Sequence, residues 1–516
     1  MAESAAATRP DAPATEELVR ELADERATHR LAGDVAALLA AGDVVTLTGD
    51  LGSGKTTFAR ALIRHLAGDP TLEVPSPTFT LMQTYDLSRF PVVHVDLYRV
   101  NAPEELIEMG FADVADDAIV LVEWPDLAAS FLPADRFDFE IALAPEQGPT
   151  HRRARLAGRG AFAHRLERLT VVRRFLDETG FGEAERLPLK GDASTRAYER
   201  LQLGERCAVL MNAPRRPDGP PVRDGLPYSR LAHLAEDVTP FIAIARGLRE
   251  RGFSAPAILA ADTETGLLIL EDLGSEPITS GEPHLAIEER YAAAVDLLMV
   301  LHQMTLPEAL PVAPRIEYRL PRYDLDALMI EAELLPDWYL PHRGAAPDQS
   351  AREAFVSAWR TALGPLADAP STWVLRDYHS PNLLWIPERD GIGRVGLLDF
   401  QDAVLGPAAY DVVSLLQDAR VDVAESIEIG LLSRYVKARR AADRTFDING
   451  FFEHYALLGA QRATKVLGIF SRLDRRDGKS QYLRHQPRIW RNLRRSLSHP
   501  ALKPLKAWYD EHCPAP

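Results

Sequence analysis

GDLGSGKTT at 49–57 and LRDYHSPN at 375–382 are the two stretches of this 516-residue chain whose residue types and spacing suit phosphate chemistry. The first fits GxxxxGK[ST] in full, follows an apolar run and opens a helical one, FARALIRHLAG. Glycines in such a turn let backbone N–H groups wrap phosphates at the positive end of the next helix. Gly49, Asp50, Leu51, Gly52, Ser53, Gly54, Lys55, Thr56 and Thr57 are therefore expected to cradle a nucleoside triphosphate. Lys55 is expected to neutralise the β and γ phosphates, and the Thr56 hydroxyl to bind Mg²⁺. A carboxylate at the end of an apolar strand is the second requirement. AIVLVEW offers Glu123 and VVHVDLYR offers Asp96.

In LRDYHSPNLLW, Asn382 follows Asp377 by five positions, and the apolar run VGLLDF brings Asp399, 22 residues after the first Asp. Phosphoryl transfer to a hydroxyl needs one carboxylate to accept the proton and two groups to hold Mg²⁺ against the triphosphate. Asp377 is the expected base, and Asn382 and Asp399 the expected metal ligands. A phosphoryl group moves only between atoms held in line within bonding reach, and each stretch has acids of its own. Two separate ATP sites are therefore expected.

The elements that must position these residues change character along the chain. Up to about residue 160, apolar runs at 43–49, 91–98 and 118–124 alternate with helical or loop segments, which predicts a parallel sheet covered on both faces. Arginines cluster at 151–175, where a new helical pattern begins, and the boundary is placed near 164. Short strand-like runs follow (RAYERLQL, CAVLMNAP, GLLILEDL), then long helical patterns such as 288–304, predicting a small β-rich lobe and a helical lobe. The Pro-rich stretch 212–227 reads as a surface loop, and no internal repeat is found. The expected organisation is a disordered 1–14, a P-loop domain at 15–164 and a second domain at 165–516, with its small lobe over about 165–275 and its helical lobe over about 276–516.

Charge separates the halves further. Residues 1–150 hold 26 acids against 10 Lys and Arg, and the remainder balances at 49 of each, so all of the net charge of -16 lies in the first third. That balance opposes unaided binding of nucleic acid there and suits a basic protein partner. Cys207 and Cys513 are too few for a disulfide framework, and no run of eighteen apolar residues occurs; a cytoplasmic chain without membrane spans is expected.

SPTF at 76–79, HVDLYR at 94–99 and VEW at 122–124, set after this P-loop, resemble TsaE, the bacterial ATPase subunit for threonylcarbamoyladenosine synthesis on tRNA. The resemblance covers roughly residues 15–160 and implies a cytoplasmic ATPase working with TsaD- and TsaB-like partners, touching tRNA only indirectly. It also implies that Thr78 sits in a switch-like loop near the γ phosphate, and that Asp96 and Glu123 serve hydrolysis and metal binding. An alternative makes this domain a nucleotide-dependent binding switch whose output is partner assembly.

Asp377, Asn382 and Asp399 with DFQDAVLGPAAYDVVSLLQDAR resemble the aminoglycoside phosphotransferase and choline kinase superfamily, over about 166–516. LKGDASTRAYERL, VLMNAP, LEDLG and RDYHSPNLLW look most like the cell-wall sugar kinases that phosphorylate the anomeric hydroxyl of N-acetylmuramic acid and N-acetylglucosamine. The fold class implied is an α/β P-loop NTPase domain followed by an α+β two-lobed protein-kinase-like domain, using ATP and Mg²⁺. Such kinases usually carry a Lys on the third strand, where this chain has Met211. Ser194, Thr195 and Arg196 in GDASTR, or Lys190, are the candidate phosphate clamp; the backbone of Glu271 to Leu273 is expected to face adenine. Leu375 replaces the His often found before the catalytic loop, so its bracing must differ, and His379 is a candidate brace. Asp324, Glu331, Trp338 and Asp402 are candidate sugar contacts. Choline, homoserine or an antibiotic as acceptor, or an inactive pseudokinase, are the alternatives.

Overall fold

The computed structural model describes residues 15–87, 90–100, 105–106, 117–189, 196–215 and 217–516. Lys190, Ser194 and Thr195, and the segment 1–14, lie outside the described residues. The chain divides into two compact units, residues 1–212 with 267–269, and residues 213–266 with 270–516.

In the first unit, β1 (Thr15–Leu22), α1 (Glu25–Ala36), β2 (Val44–Thr48), α2 (Lys55–Ala67), β3 (Met82–Tyr85), β4 (Val92–Asp96), β5 (Ile119–Glu123), β6 (Arg136–Leu143) and β7 (Arg152–Arg159) precede a helix, α3 (Phe162–Glu178). The strands form one sheet in the order β1-β7-β6-β2-β5-β4-β3, parallel across β6-β2-β5-β4 and antiparallel at both flanks. The parallel strands are apolar at successive positions because both of their faces are covered. Val45, Leu47, Ile119 and Leu121 face the core under the helices, and Val44, Val93, Val120 and Val122 face a second core. Burying each such side chain contributes about 1.5–3 kcal/mol.

The arginine-rich run that reads as the start of a helical pattern is split by the structure, and 152–159 is strand β7. Its alternation decides this. Ala154 and Leu156 are buried, while Arg153 and Arg155 point outward to Glu21 and Glu17 on β1, at 2.6 and 2.5 Å. The helical pattern starts only at Phe162, where Leu166 and Leu169 of α3 enter the core under β1 and β7.

Three antiparallel strands, β8 (Glu185–Leu189), β9 (Ala197–Leu203) and β10 (Arg206–Asn212), follow in this unit. Arg186 on β8 is 6 % exposed and joins them to α1: it donates from Nε and Nη2 to the Glu199 carboxylate at 2.6 and 2.9 Å, and from Nη1 to Asp34. Arg173 approaches the other Asp34 oxygen at 3.4 Å. Removing one partner of a buried ion pair strands the other in low dielectric. Arg186→Met is therefore expected to destabilise this unit by about 3–5 kcal/mol. An unchanged urea midpoint, followed by circular dichroism, would refute the burial of this charge cluster.

Among the described residues the second unit holds five short antiparallel pairs and a helical body, and two of the pairs carry the site. β11 (Ser371–Val374) pairs with β14 (Val404–Pro407), and β12 (Leu383–Trp385) with β13 (Val395–Leu397). The helices that matter for the site are α4 (Leu325–Ala332), α5 (Ala409–Leu416) and α6 (Ile448–Asp477). α6 runs for 30 residues between the Asp447 cap, which accepts from the Gly450 N–H, and Gly478 in a left-handed conformation. It passes so close to Leu334 that a Cβ at Gly468 would lie 2.5 Å from the Leu334 backbone carbonyl, so only glycine fits. Gln461, Arg462, Thr464 and Lys465 are buried in its middle, an arrangement that demands partners. No helix among the described residues is long and apolar enough to cross a membrane.

Candidate active sites

In the first unit, parallel register brings the expected residues to one carboxyl edge of the sheet. Leu47 and Asp96 both lie opposite Glu123, so the loop leaving β2 and the ends of β4 and β5 converge. Gly49 has φ 138°, and a Cβ there would sit 2.1 Å from the Ile141 carbonyl oxygen; glycine is required. The Thr56 hydroxyl, in the first turn of α2, donates to Glu123 at 3.0 Å, and the Thr78 hydroxyl donates to Asp96 at 2.7 Å. Lys55 turns back on its own loop, donating to the carbonyls of Gly49 and Asp50 at 2.8 and 2.9 Å, with its ammonium 3.9 Å above the Trp124 ring. Burial lowers the Lys55 pKa, partly opposed by Glu123, Asp96 and Asp50.

Sequence reasoning left out His94. It is fully buried, and its Nε2 meets the second Glu123 oxygen at 3.0 Å, so Glu123 is held from both sides. The signal was present: His94 and Asp96 are two apart on one strand and so share a face. The donor set fits a nucleotide with its metal, since the loop cradle, a lysine ammonium held at the loop and a hydroxyl beside a carboxylate are its usual partners. Among the described residues no three His, Cys, Asp or Glu side chains gather to hold a metal by themselves.

In the second unit, β12 and β13 pair Leu383 with Leu397, and the Leu398 N–H donates to the Asn382 carbonyl at 2.9 Å. Asn382 and Asp399 therefore flank one end of one hairpin. The Asn382 side-chain amide donates to the Asp377 carbonyl at 3.0 Å, bringing the third member beside them. Asp399 has φ 55° and accepts from the Gln401 amide at 3.0 Å. A carboxylate and an amide oxygen beside an anionic base fit a metal–triphosphate complex.

The brace of this loop comes from α5 and the residues after it. The Asp411 carboxylate accepts the backbone N–H groups of Leu375 and Arg376 at 2.7 and 3.0 Å, and the Ser414 hydroxyl donates to the Arg376 carbonyl at 3.2 Å. Asp418 accepts the N–H and hydroxyl of Ser380 at 2.9 and 2.6 Å. These two acids, fully buried in the apolar run YDVVSLLQDA, carry the bracing that the sequence left to His379. His379 is 3.8 Å from the Asp377 carboxylate; burial pushes its pKa down to about 4, so it is neutral near pH 7. Burial also pushes Asp377 upward, but His379 and the cations Lys465, Arg462 and Arg376 outweigh it, and the carboxyl sits below the ordinary range.

Glu331 is not available to a sugar. It is fully buried on α4 and accepts from Lys465 at 2.6 Å and from Gln461 at 3.2 Å, and also from Arg376 and the Tyr323 hydroxyl. Burial pushes its pKa up, Lys465 and Arg376 outweigh it, and it falls to about 2. Asp324 caps α4 through the Ala327 N–H at 2.8 Å and meets His233 Nε2 at 3.0 Å; Trp338 is half-buried; Asp402 accepts the Ala235 N–H at 2.6 Å. The Glu271 N–H is taken by the Ala257 carbonyl at 2.9 Å, and its carboxylate by Arg249 and Arg389 at 2.8 and 2.5 Å. Its backbone N–H is thus taken up within the protein. Met211 is buried on β10 opposite Tyr198, and Arg196 stands just before β9.

These two arrangements define a phosphotransferase of the two-lobed kinase class, carried on a chain that begins with a P-loop nucleotide hydrolase unit. Comparison with known proteins agrees. The family model described as "Threonylcarbamoyl adenosine biosynthesis protein TsaE" matches residues 22–154, and that of the phosphotransferase enzyme family matches 185–445. The chain belongs to the phosphotransferase enzyme family and carries a TsaE domain ahead of it. It is 40% identical over 361 residues to an N-acetylmuramate/N-acetylglucosamine kinase of Caulobacter vibrioides, covering 67% of this chain and 97% of that protein. A protein of the same description from Pseudomonas aeruginosa is 33% identical, over 62% of this chain and 86% of its own length. TsaE of Rickettsia felis is 39% identical over 125 residues, 24% of this chain and 72% of that protein.

Proposed function

We propose that the second unit transfers the γ-phosphoryl group of ATP to the anomeric hydroxyl of N-acetylmuramate or N-acetylglucosamine, as a step of cell-wall recycling. The observation that carries this reading is the ionised Asp377 beside Asn382 and Asp399 at one hairpin end. The names of the similar kinases supply the acceptor. Asp377 takes the hydroxyl proton as the sugar oxygen bonds to phosphorus and ADP leaves. Asn382 and Asp399 would hold Mg²⁺, which when bound neutralises charge on the phosphate oxygens. Arg196, with Ser194 and Thr195, is the proposed phosphate clamp, the Glu271 carbonyl and Leu273 N–H the adenine contacts, and Asp324, Trp338 and Asp402 the sugar side.

The first unit is read as an ATPase supporting N6-threonylcarbamoyladenosine formation on tRNA with TsaD- and TsaB-like partners. Its cradle is Gly49 to Thr57, Thr56 and Glu123 would hold Mg²⁺, and Asp96 with Thr78 serve hydrolysis. The domains are proposed to meet near 164, with both units working in the cytoplasm.

Incubation with ATP, Mg²⁺ and a panel of amino sugars, choline and homoserine is expected to give a sugar product. Phosphorus–proton correlation by NMR should place the phosphate on the anomeric oxygen. Phosphate on any other oxygen, or on a small alcohol alone, would overturn the acceptor assignment.

A further inference from the structure

Arg376, next to the base, stands in a left-handed backbone conformation, φ 64°, that glycine adopts without strain and an arginine does not. Its side chain is what the loop gains from that conformation. The guanidinium is 1 % exposed; Nη2 donates to Glu331 on α4, and Nη1 to the Ala232 carbonyl at 2.8 Å. The next residue, His233, has φ 52°, and the Ala235 N–H is held by Asp402. One side chain thus ties the base-bearing loop both to α4 and to the segment beside Asp402.

Glu331 is the anchor of this tie. Its oxygens are saturated by Arg376, Lys465, Tyr323 and Gln461, donors from three separate stretches of chain. Lys465, Arg462 and Arg376 are the cations facing the Asp377 carboxylate, and Glu331 fixes the first and the last of them. Cations held by a saturated buried anchor favour one placement of the carboxylate they face.

We propose that Arg376 and Glu331, with Lys465 as counter-ion, are positioning residues that hold Asp377 in register with the acceptor-side segment 232–235. This rests on the phosphotransferase reading of Asp377. Arg376→Gly keeps a residue suited to the backbone conformation and removes the tie. It is expected to lower kcat for sugar phosphorylation about 10- to 100-fold, with KM for ATP changed less than threefold. Glu331→Gln keeps the shape and is expected to lower kcat in the same way, and Arg376→Lys to recover part of the loss. The double variant Arg376→Gly, Glu331→Gln should be no slower than the slower single variant, because one tie is broken in each.

Wild-type kcat in folded Arg376→Gly, or losses that multiply in the double variant, would overturn the proposal. A fall in melting temperature with unchanged kcat per folded molecule would assign the cluster to stability alone and also overturn it. Asp377→Asn in the same assay separates the failures: if it stays active the reading of the base is wrong, whereas an inactive Asp377→Asn beside a fully active Arg376→Gly removes only the tie.

Discussion

Asp377→Asn is expected to lower kcat for phosphoryl transfer about 10³-fold, within the range that a positioned general base contributes. The substitution keeps the loop. The contacts that fix residue 377 are backbone ones, its N–H to the Leu375 carbonyl at 2.7 Å and its carbonyl from Asn382 at 3.0 Å, and an amide side chain disturbs neither. What is lost is the anion. The neutral Asn no longer answers the positive charge of Lys465, Arg462 and Arg376 and gives the acceptor proton nowhere to go. Because the Asp377 carboxyl is held below its ordinary range, the wild-type enzyme keeps the base ionised down to acid pH. The acid limb of kcat should therefore fall below about pH 4, the ordinary value for Asp. Phosphate release by the first unit, measured on the same sample, should be unchanged. Residual transfer within fivefold of wild type would show that the proton leaves by another route.

Contiguous motifs were legible because their chemistry fixes neighbouring residues. Lys55, Thr56, Asp96 and Glu123 meet because a P-loop joins a strand to a helix, and strand ends in a parallel sheet share one edge. Asp377, Asn382 and Asp399 meet because a short hairpin folds the second pair together. Residues whose role depends on a distant partner were not legible. Glu331 sits in a helical pattern with acids on several faces, and only the fold shows that it meets Arg376, 45 positions later, and Lys465, 134 positions later. Asp411 and Asp418 were visible as acids in an apolar run, but their partners include backbone N–H groups that no sequence pattern marks. The same holds for Asp34 and Arg186, 152 positions apart. β7 misled for a different reason: its outward arginines obscured a period of two that the buried Ala154 and Leu156 follow.

The second large effect is expected at Lys55, where two substitutions separate holding the nucleotide from hydrolysing it. Lys55→Ala removes a cation whose hydrogen bonds now go to the Gly49 and Asp50 carbonyls, contacts that a phosphate would replace. Charge-assisted bonds are worth about 1.5–3 kcal/mol each, so losing them should weaken ATP binding to this unit at least 100-fold. Glu123→Gln is a different lesion. Its amide oxygen still accepts from the Thr56 hydroxyl, so the cradle stays formed and a fluorescent ATP analogue should bind within a few-fold of wild type. The negative charge between Thr56 and His94 is gone, and partner-stimulated phosphate release should fall at least 100-fold, as for other groups that act on developing charge. Sugar phosphorylation by the second unit should survive both changes, because Asp377, Asn382 and Asp399 draw their contacts from residues 375–418 and from α6. If Glu123→Gln leaves turnover intact while partner release still follows nucleotide occupancy, the first unit is a binding switch rather than a hydrolase. If Lys55→Ala also stops sugar phosphorylation, one nucleotide serves both reactions, and the separation of the two sites fails.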